Sequence, residues 1–408
     1  MKPFRRANNL FGSCRNGISS TQSNYLRSRS GLPQPACRTF WEYQSSAPAT
    51  ANRQSTGSPS ERRHQFPPPN NAMVQTAELS MRPKMGSRVP IEPQRVDAPL
   101  TQSATFLVLT INDKNDAAAI STVRSTLAGL DDLSKNVAIR DLQASFACTV
   151  GIGSEAWDQV TNGLARPGEL HDFPTVQGKV HTAVSTPGDL LFHIRADRRD
   201  LCFEFERQLM DLLSDTVTVV DETVGFRYFD VRDLLGFVDG TANPAGSAVD
   251  DSILVTEQDV SDGSETAVGG SYIVVQKYVH DLKAWRNLST EQQEAVIGRT
   301  KLDNIELDDA PDGRQAAHKT LTTIADEAGN EYSILRDNMP FGNSGAKEFG
   351  TYFIGYSRRL WVIEKMLNRM FVGDPPGLHD RILDFSRPLT GSTFFAPAAS
   401  VLAGLASG

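Results

Sequence analysis

Apolar residues enter this chain in short blocks whose spacing alternates between that of strands and that of helices. Phe106-Leu107-Val108-Leu109-Thr110-Ile111, bounded by Asn112-Asp113, is the unbroken apolar run of a buried strand. Ile120, Val123, Leu127 and Leu130 then recur at three- and four-residue steps, which predicts a helix over 117–130. A second strand is expected over 146–152, closed by Gly151 and Gly153, with Ser154 as N-cap of a short helix carrying Trp157. A third strand follows over 189–196. The helix over 198–213 is expected to turn Phe203, Leu209 and Leu213 inward.

The second half repeats the plan. Residues 271–278 read as a strand and 290–297 as a helix; 352–356 form a strand that runs into an amphipathic helix over 360–371. Each half thus ends with a strand feeding a long helix, although no residue identity between the halves supports the repeat. Such units build an α+β or an α/β domain, and periodicity alone does not choose between them.

Composition narrows the classes. At 408 residues the chain holds one large or two small domains, and 39% apolar content supports a real core. No apolar run is long enough to span a membrane, and a net charge of −8 argues against nucleic acid as partner. The four cysteines form no CxxC pair; Cys148 and Cys202 sit in apolar contexts and read as reduced core residues. Up to Phe40 there is no acidic residue, while seven basic residues recur among serines. That is the composition of a mitochondrial transit peptide, so mitochondrial import is expected, with the cytoplasm as the alternative. A generic basic tail, or an upstream stretch misread as coding, shares the composition. Residues 1–95 are expected to be a disordered extension ending in a Ser/Pro/Asn/Gln-rich linker.

Three stretches carry candidate chemistry. Gly236-Phe237-Val238-Asp239-Gly240-Thr241-Ala242-Asn243-Pro244 places a carboxylate between glycines that let backbone approach a flat ligand, and Asn243-Pro244 ends the loop. Asp-Gly and Asn-Pro pairs equally suit a surface turn, but Phe237-Val238 suggests inward packing. Of seven histidines none makes an HxxxH or HExxH pair, so binding of a metal by clustered side chains is poorly supported. One histidine suffices where a porphyrin supplies four ligands. His318, among small residues in Gln315-Ala316-Ala317-His318, competes with His280 for that role, while His193 suits the core. Arg336, in Leu335-Arg336-Asp337-Asn338-Met339-Pro340, projects from a strand rim if Leu335 and Arg336 end a strand. It makes either a solvated ion pair or a cation aimed at developing negative charge.

Together, in order, the Gly236–Pro244 motif, His318 and the 336–342 run resemble the dye-decolourising (DyP-type) haem peroxidases, most closely their bacterial-like subfamily. The resemblance spans roughly residues 95–397 and includes Val296-Ile297-Gly298-Arg299-Thr300-Lys301 and Met370-Phe371-Val372-Gly373-Asp374. It implies an α+β fold of two ferredoxin-like halves with antiparallel sheets, of the dimeric α+β barrel type. The halves would be 96–230 and 231–397, the second carrying the haem site, with 398–408 as a frayed tail. It implies haem b (iron protoporphyrin IX) with His318 as proximal ligand, Gly236 and Gly240 beside the cofactor, and Asp384 as the carboxylate fixing the proximal imidazole. Asp239 would be the distal acid–base group, Arg336 the distal cation and Asn338 a distal hydrogen-bond partner. The partners would be hydrogen peroxide and a small phenolic or dye-like electron donor, with activity highest at acidic pH, and the chain would assemble as a homo-oligomer. Electrons would leave through the haem edge or surface aromatics such as Trp285, Tyr278 or Trp361, each of which also suits ordinary packing. Two other readings compete: a haem-handling protein that carries porphyrin or removes its iron, and a catalytically silent α+β module.

Overall fold

The run Ser103–Ile111 is almost wholly buried because it is paired on both sides in a sheet covered on both faces. The computed structural model describes residues 91–260 and 264–407. The expected N-terminal extension, with Cys14 and Cys37, lies outside the described residues apart from 91–95.

Four strands come from the first half: β1 (Ser103–Ile111), β2 (Ala147–Ile152), β3 (Leu190–Ala196) and β4 (Val217–Phe226). Six come from the second: β5 (Ser271–His280), β6 (Leu335–Arg336), β7 (Met339–Asn343), β8 (Glu348–Ser357), β9 (Ser386–Pro388) and β10 (Ser392–Ala396). They form one antiparallel sheet in the order β6-β8-β5-β10-β2-β3-β1-β4, with β7 on β8 and β9 on β5. Each half is a strand–helix–strand–strand–helix–strand unit with its first strand inside, the ferredoxin-like arrangement. The halves join where β10 meets β2 at Phe395 and Ile152. At the far edges β4 approaches β7 so closely that a Cβ on Gly225 would lie 2.5 Å from the Met339 Cβ.

The pleat sorts the core into two layers. Phe106, Val108, Leu191, Ile273, Ile354 and Phe394 point inward, where both halves share one apolar cluster. Their neighbours Leu107, Leu109, Phe192, Val274 and Phe395 pack under the helices. Arg195 is buried in the inner layer, its Nη1 3.0 Å from Asp337 Oδ2, while Arg227 Nη2 stands 3.5 Å from Asp337 Oδ1. The rim strand that carries Arg336 is thereby anchored to the first half.

Helices follow the apolar spacing, with instructive exceptions. α1 (Ala117–Ala128) is capped by the Asp116 side chain and stops at Gly129, where α2 (Leu130–Ala138) begins, so the expected single helix is two. In α3 (Arg199–Leu213) the buried stripe is Leu201, Cys202, Phe205, Leu209 and Leu213. Phe203 is two residues out of phase with Phe205 and is 59% exposed, not inward. Ser154 caps nothing: the helix Trp157–Val160 starts after Ala156, and the Ser154 hydroxyl donates to Asp172. α4 (Thr290–Ile297) has a Ser289/Gln292 capping box and ends at left-handed Gly298. α5 (His318–Thr322) is one turn, and α6 (Leu360–Phe371) matches its apolar stripe. The tail is not frayed: Ala399–Gly404 is helical, with Leu402 and Leu405 buried in the outer core. Cys148 and Cys202 are free, and burial pushes the Cys202 thiol up to about 12. No helix among the described residues is long and apolar enough to cross a membrane.

Candidate functional site

The Gly236–Pro244 stretch is held inward by its apolar pair and by backbone bonds. Phe237 is buried with Leu235, Trp285, Val296 and Ile297 in a small separate core, and the Trp285 indole N–H donates to the Leu235 carbonyl at 2.9 Å. The Asp233 carboxylate accepts the Phe237 N–H at 2.9 Å, and Arg232 Nη1 donates to the Gly236 carbonyl at 2.8 Å. Burial above all, then the charge of Asp239, pushes Asp233 up to about 7 against the backbone N–H groups that it accepts. Gly236 has φ +94°, a backbone conformation that would strain any side chain, so the turn favours glycine. Asp239 Oδ1 accepts the N–H of Gly240 at 2.7 Å.

Arg336 ends β6 at the sheet rim. Asn243, from the loop's end, clasps its backbone: Asn243 Nδ2 donates to the Arg336 carbonyl at 2.7 Å and Oδ1 accepts the Arg336 N–H at 3.1 Å. Asn338 bridges the strand and the acid, accepting from Ile354 N at 3.2 Å and donating to Asp239 Oδ1 at 3.4 Å. If the site acts as the resemblance implies, Asn243→Ala is expected to leave the cofactor in place but lower peroxide turnover roughly tenfold, about 1.4 kcal/mol, as two anchoring bonds vanish. Steady-state rates normalised to Soret absorbance measure this; unchanged turnover would show the clasp to be dispensable.

His318 opens α5, and its Nδ1 lies 2.6 Å from Oδ2 of the fully buried Asp380. The expected partner was Asp384; that assignment is corrected. Both acids sit on the turn around Arg381–Asp384, and the chain enters it with Asp380 facing His318 while Asp384 turns toward His181, His379 and Arg381. Nε2 of His318 has no hydrogen-bond partner among the described residues. His280, its rival, has both nitrogens engaged, Nδ1 with Ser386 and Nε2 with Thr351, each at 2.9 Å. His193 is a core residue bonded through Nδ1 to the Tyr356 hydroxyl at 2.8 Å.

Burial pushes His280 down to about 4, and burial with the Arg195 charge holds His193 well below its ordinary value. The unfolded chain takes up these protons near pH 6.5, so the stability carried by the neutral rings is complete above that pH. It drains as pH falls, by about 1.4 kcal/mol per pH unit for each ring, until His280 itself protonates near 4. Urea midpoints recorded from pH 7.5 to 4.5 should fall accordingly, and His280→Gln should flatten part of the slope. A midpoint constant across that range would contradict this.

Asp239, Gly240, Arg336, Asn338, His280 and His318 all line one cavity of ≈ 710 Å³. Gly236 and Asp384 do not line it. The volume suits a cofactor-sized ligand. Ile334, Phe353, Leu367 and Met370 give it an apolar wall, and a free imidazole nitrogen braced by a buried carboxylate gives it one donor able to hold a metal. These features fit a haem. Trp285 and Tyr278, expected as surface aromatics, are buried, whereas Trp361 is partly buried against Tyr332. Sequence reasoning missed Asp380, Asn243 and Asp233.

Residues 93–227 match the family model "Dyp-type peroxidase, N-terminal" and residues 230–401 match "Dyp-type peroxidase, C-terminal". A dye-decolorizing peroxidase of Mycolicibacterium paratuberculosis is 50% identical over 314 residues, 77% of this chain and 85% of that protein. The structure of a variant of DypB from Rhodococcus jostii in complex with haem superposes with TM-score 0.72 at 50% identity, covering 76% of this chain and 98% of that one. The encapsulated DyP-type peroxidase from Mycobacterium smegmatis gives TM-score 0.72 at 49% identity, covering 77% and 98%. These relatives are bacterial, which overturns the expected mitochondrial destination.

Proposed function

The chain belongs to the Dyp-type peroxidase family and is a haem peroxidase, and from that premise we propose that it reduces hydrogen peroxide with electrons from small phenolic or dye-like donors, using haem b held by His318. The observation that carries this reading is the single cavity in which the free Nε2 of His318 meets Asp239, Arg336 and Asn338. When bound, the haem supplies the redox chemistry that cleaves the oxygen–oxygen bond.

Around it, each side chain has one task. His318 would hold the iron through Nε2, with its Nδ1–H bond to Asp380 fixing the ring and strengthening it as a donor. Asp239 takes the proton from one peroxide oxygen and returns it to the departing one, so that water leaves. Asn338, bonded to both Asp239 and β8, holds the carboxylate toward the cavity. Arg336 offsets negative charge as the bond polarises, and its clasp by Asn243 limits reorganisation. The glycine-bounded loop lets Asp239 approach without a side chain intruding.

The halves divide into 96–230 and 231–397, the second carrying the cofactor. Exposed Phe229 and Leu302 offer apolar surface for a homo-oligomer. The test of the activity is dye or phenol oxidation by the haem-loaded protein across pH. It should require both peroxide and haem and be highest at acidic pH; a flat profile to pH 8 would contradict the acid optimum. Release of iron-free porphyrin without peroxide would instead assign a haem-handling role.

A further inference from the structure

Outside the cavity, three ligand-type side chains converge from distant stretches. His181 precedes the short strand Thr182–Ala183 of the first half, while His379 and Asp384 flank the second-half turn that carries Asp380. Asp384 Oδ1 lies 3.1 Å from His181 Nε2 and 2.9 Å from His379 Nε2. The two imidazoles meet edge to face, centroids 4.8 Å apart, and the three ligand atoms all lie within 4.8 Å of one another. Arg381 engages the other carboxylate oxygen, which leaves Oδ1 to the histidines.

Two imidazole nitrogens and a carboxylate oxygen are a donor set suited to zinc and its neighbours. Around a tetrahedral ion with bonds near 2.05 Å, adjacent donors stand roughly 3.3 Å apart. Both nitrogen–oxygen separations are close to that value, and the two ring nitrogens, no more than 4.8 Å apart, would close toward it on binding. His181 and Asp384 also border an open depression of ≈ 620 Å³, through which an ion and its remaining water ligands can enter. These side chains are 15–27% exposed, buried enough to be fixed and open enough to exchange.

We propose that His181, His379 and Asp384 form a binding site for a divalent transition-metal ion of the zinc class, one that ties the first half to the turn bearing Asp380. The ion replaces the hydrogen bonds that the two rings make to Oδ1, each imidazole keeping its proton on the other nitrogen. Because Asp380 lies one residue from His379 and braces His318, occupancy stiffens the support of the proximal imidazole from outside the cavity.

The test is calorimetric titration of ZnCl2 into the chelator-washed, haem-loaded full chain. One equivalent should bind with micromolar or tighter affinity and raise the thermal midpoint. His181→Ala and His379→Ala should each abolish both effects, Asp384→Asn should weaken binding at least tenfold, and His171→Ala should change neither. The Soret band and far-ultraviolet spectrum identify any variant that fails to fold, and His181→Ala, on a different element from Asp380, decides if His379→Ala does. No saturable zinc uptake, or uptake unaltered in folded His181→Ala, would overturn the proposal and leave a cluster held by hydrogen bonds alone.

Discussion

His318→Ala is expected to purify without a Soret band and without peroxide-dependent oxidation of any dye. His318 Nε2 is the free imidazole nitrogen of the cavity, since His280 spends both of its nitrogens on Ser386 and Thr351. Recruiting His280 would mean breaking two bonds in a buried place and turning a ring in a packed core, which costs several kcal/mol, on the order of 2–4. The substitution also strands Asp380, fully buried and deprived of its imidazole partner, so stability should fall by about 1–3 kcal/mol as well. Reconstitution with hemin, read by absorbance, distinguishes loss of the ligand from loss of the fold, which circular dichroism reports. A variant that keeps an unaltered Soret band and full turnover would show that the axial ligand is some other residue.

A second large effect is expected on the peroxide side. Asp239→Asn would remove the group proposed to carry the proton between the two oxygens while keeping the amide able to accept from Gly240, so the loop should hold its shape. General acid–base participation is worth about 10²–10⁴-fold, and that is the loss expected in the rate constant with peroxide. Arg336→Leu removes the fixed cation, with an expected loss of about 10²–10³-fold by analogy with other charge-stabilising donors. If the two groups act on the same oxygens, as proposed, the double variant should lose less than the product of the single effects. Rapid mixing with peroxide at saturating haem occupancy measures all three. If neither single variant slows the reaction tenfold, proton transfer and charge stabilisation lie elsewhere in the cavity.

The long elements were legible because burial on one face, or on both, writes its own period into the chain. β1 read as an unbroken apolar run because the sheet is covered on both sides, and α6 as a stripe because only one face meets the sheet. Phe203 misled because a single aromatic at the helix start fits two phases, and only the packed partners of Phe205 choose between them. Gly129 broke a helix whose apolar spacing runs straight through it, a backbone event that side-chain periodicity does not record. The tail looked too small and apolar to hold its place; its anchor is a core formed by α1, far off in sequence.

At the site, the motifs led to residues that do gather in one cavity, whereas the supporting shell was hidden. Asp380 and Asp384 differ by one short turn, and nothing in His379-Asp380-Arg381-Ile382-Leu383-Asp384 tells which carboxylate faces His318. The fold decides it, by bringing His318 to Asp380 and His181 to Asp384. Asn243 read as a loop terminator because its neighbour is proline; that its amide clasps Arg336, 93 positions later, depends on the intervening chain folding back. The composition of the first 40 residues resembled a transit peptide, but a basic, serine-rich stretch is a weak address when the relatives are bacterial.

The most direct test is a crystal structure of the haem-loaded protein soaked with a peroxide mimic such as cyanide. The account predicts iron at bonding distance from Nε2 of His318, Asp380 still on Nδ1, and both Asp239 and Arg336 facing the mimic across the porphyrin. Iron held by His280 or any other residue, or Asp239 and Arg336 turned away from the bound anion, would contradict it.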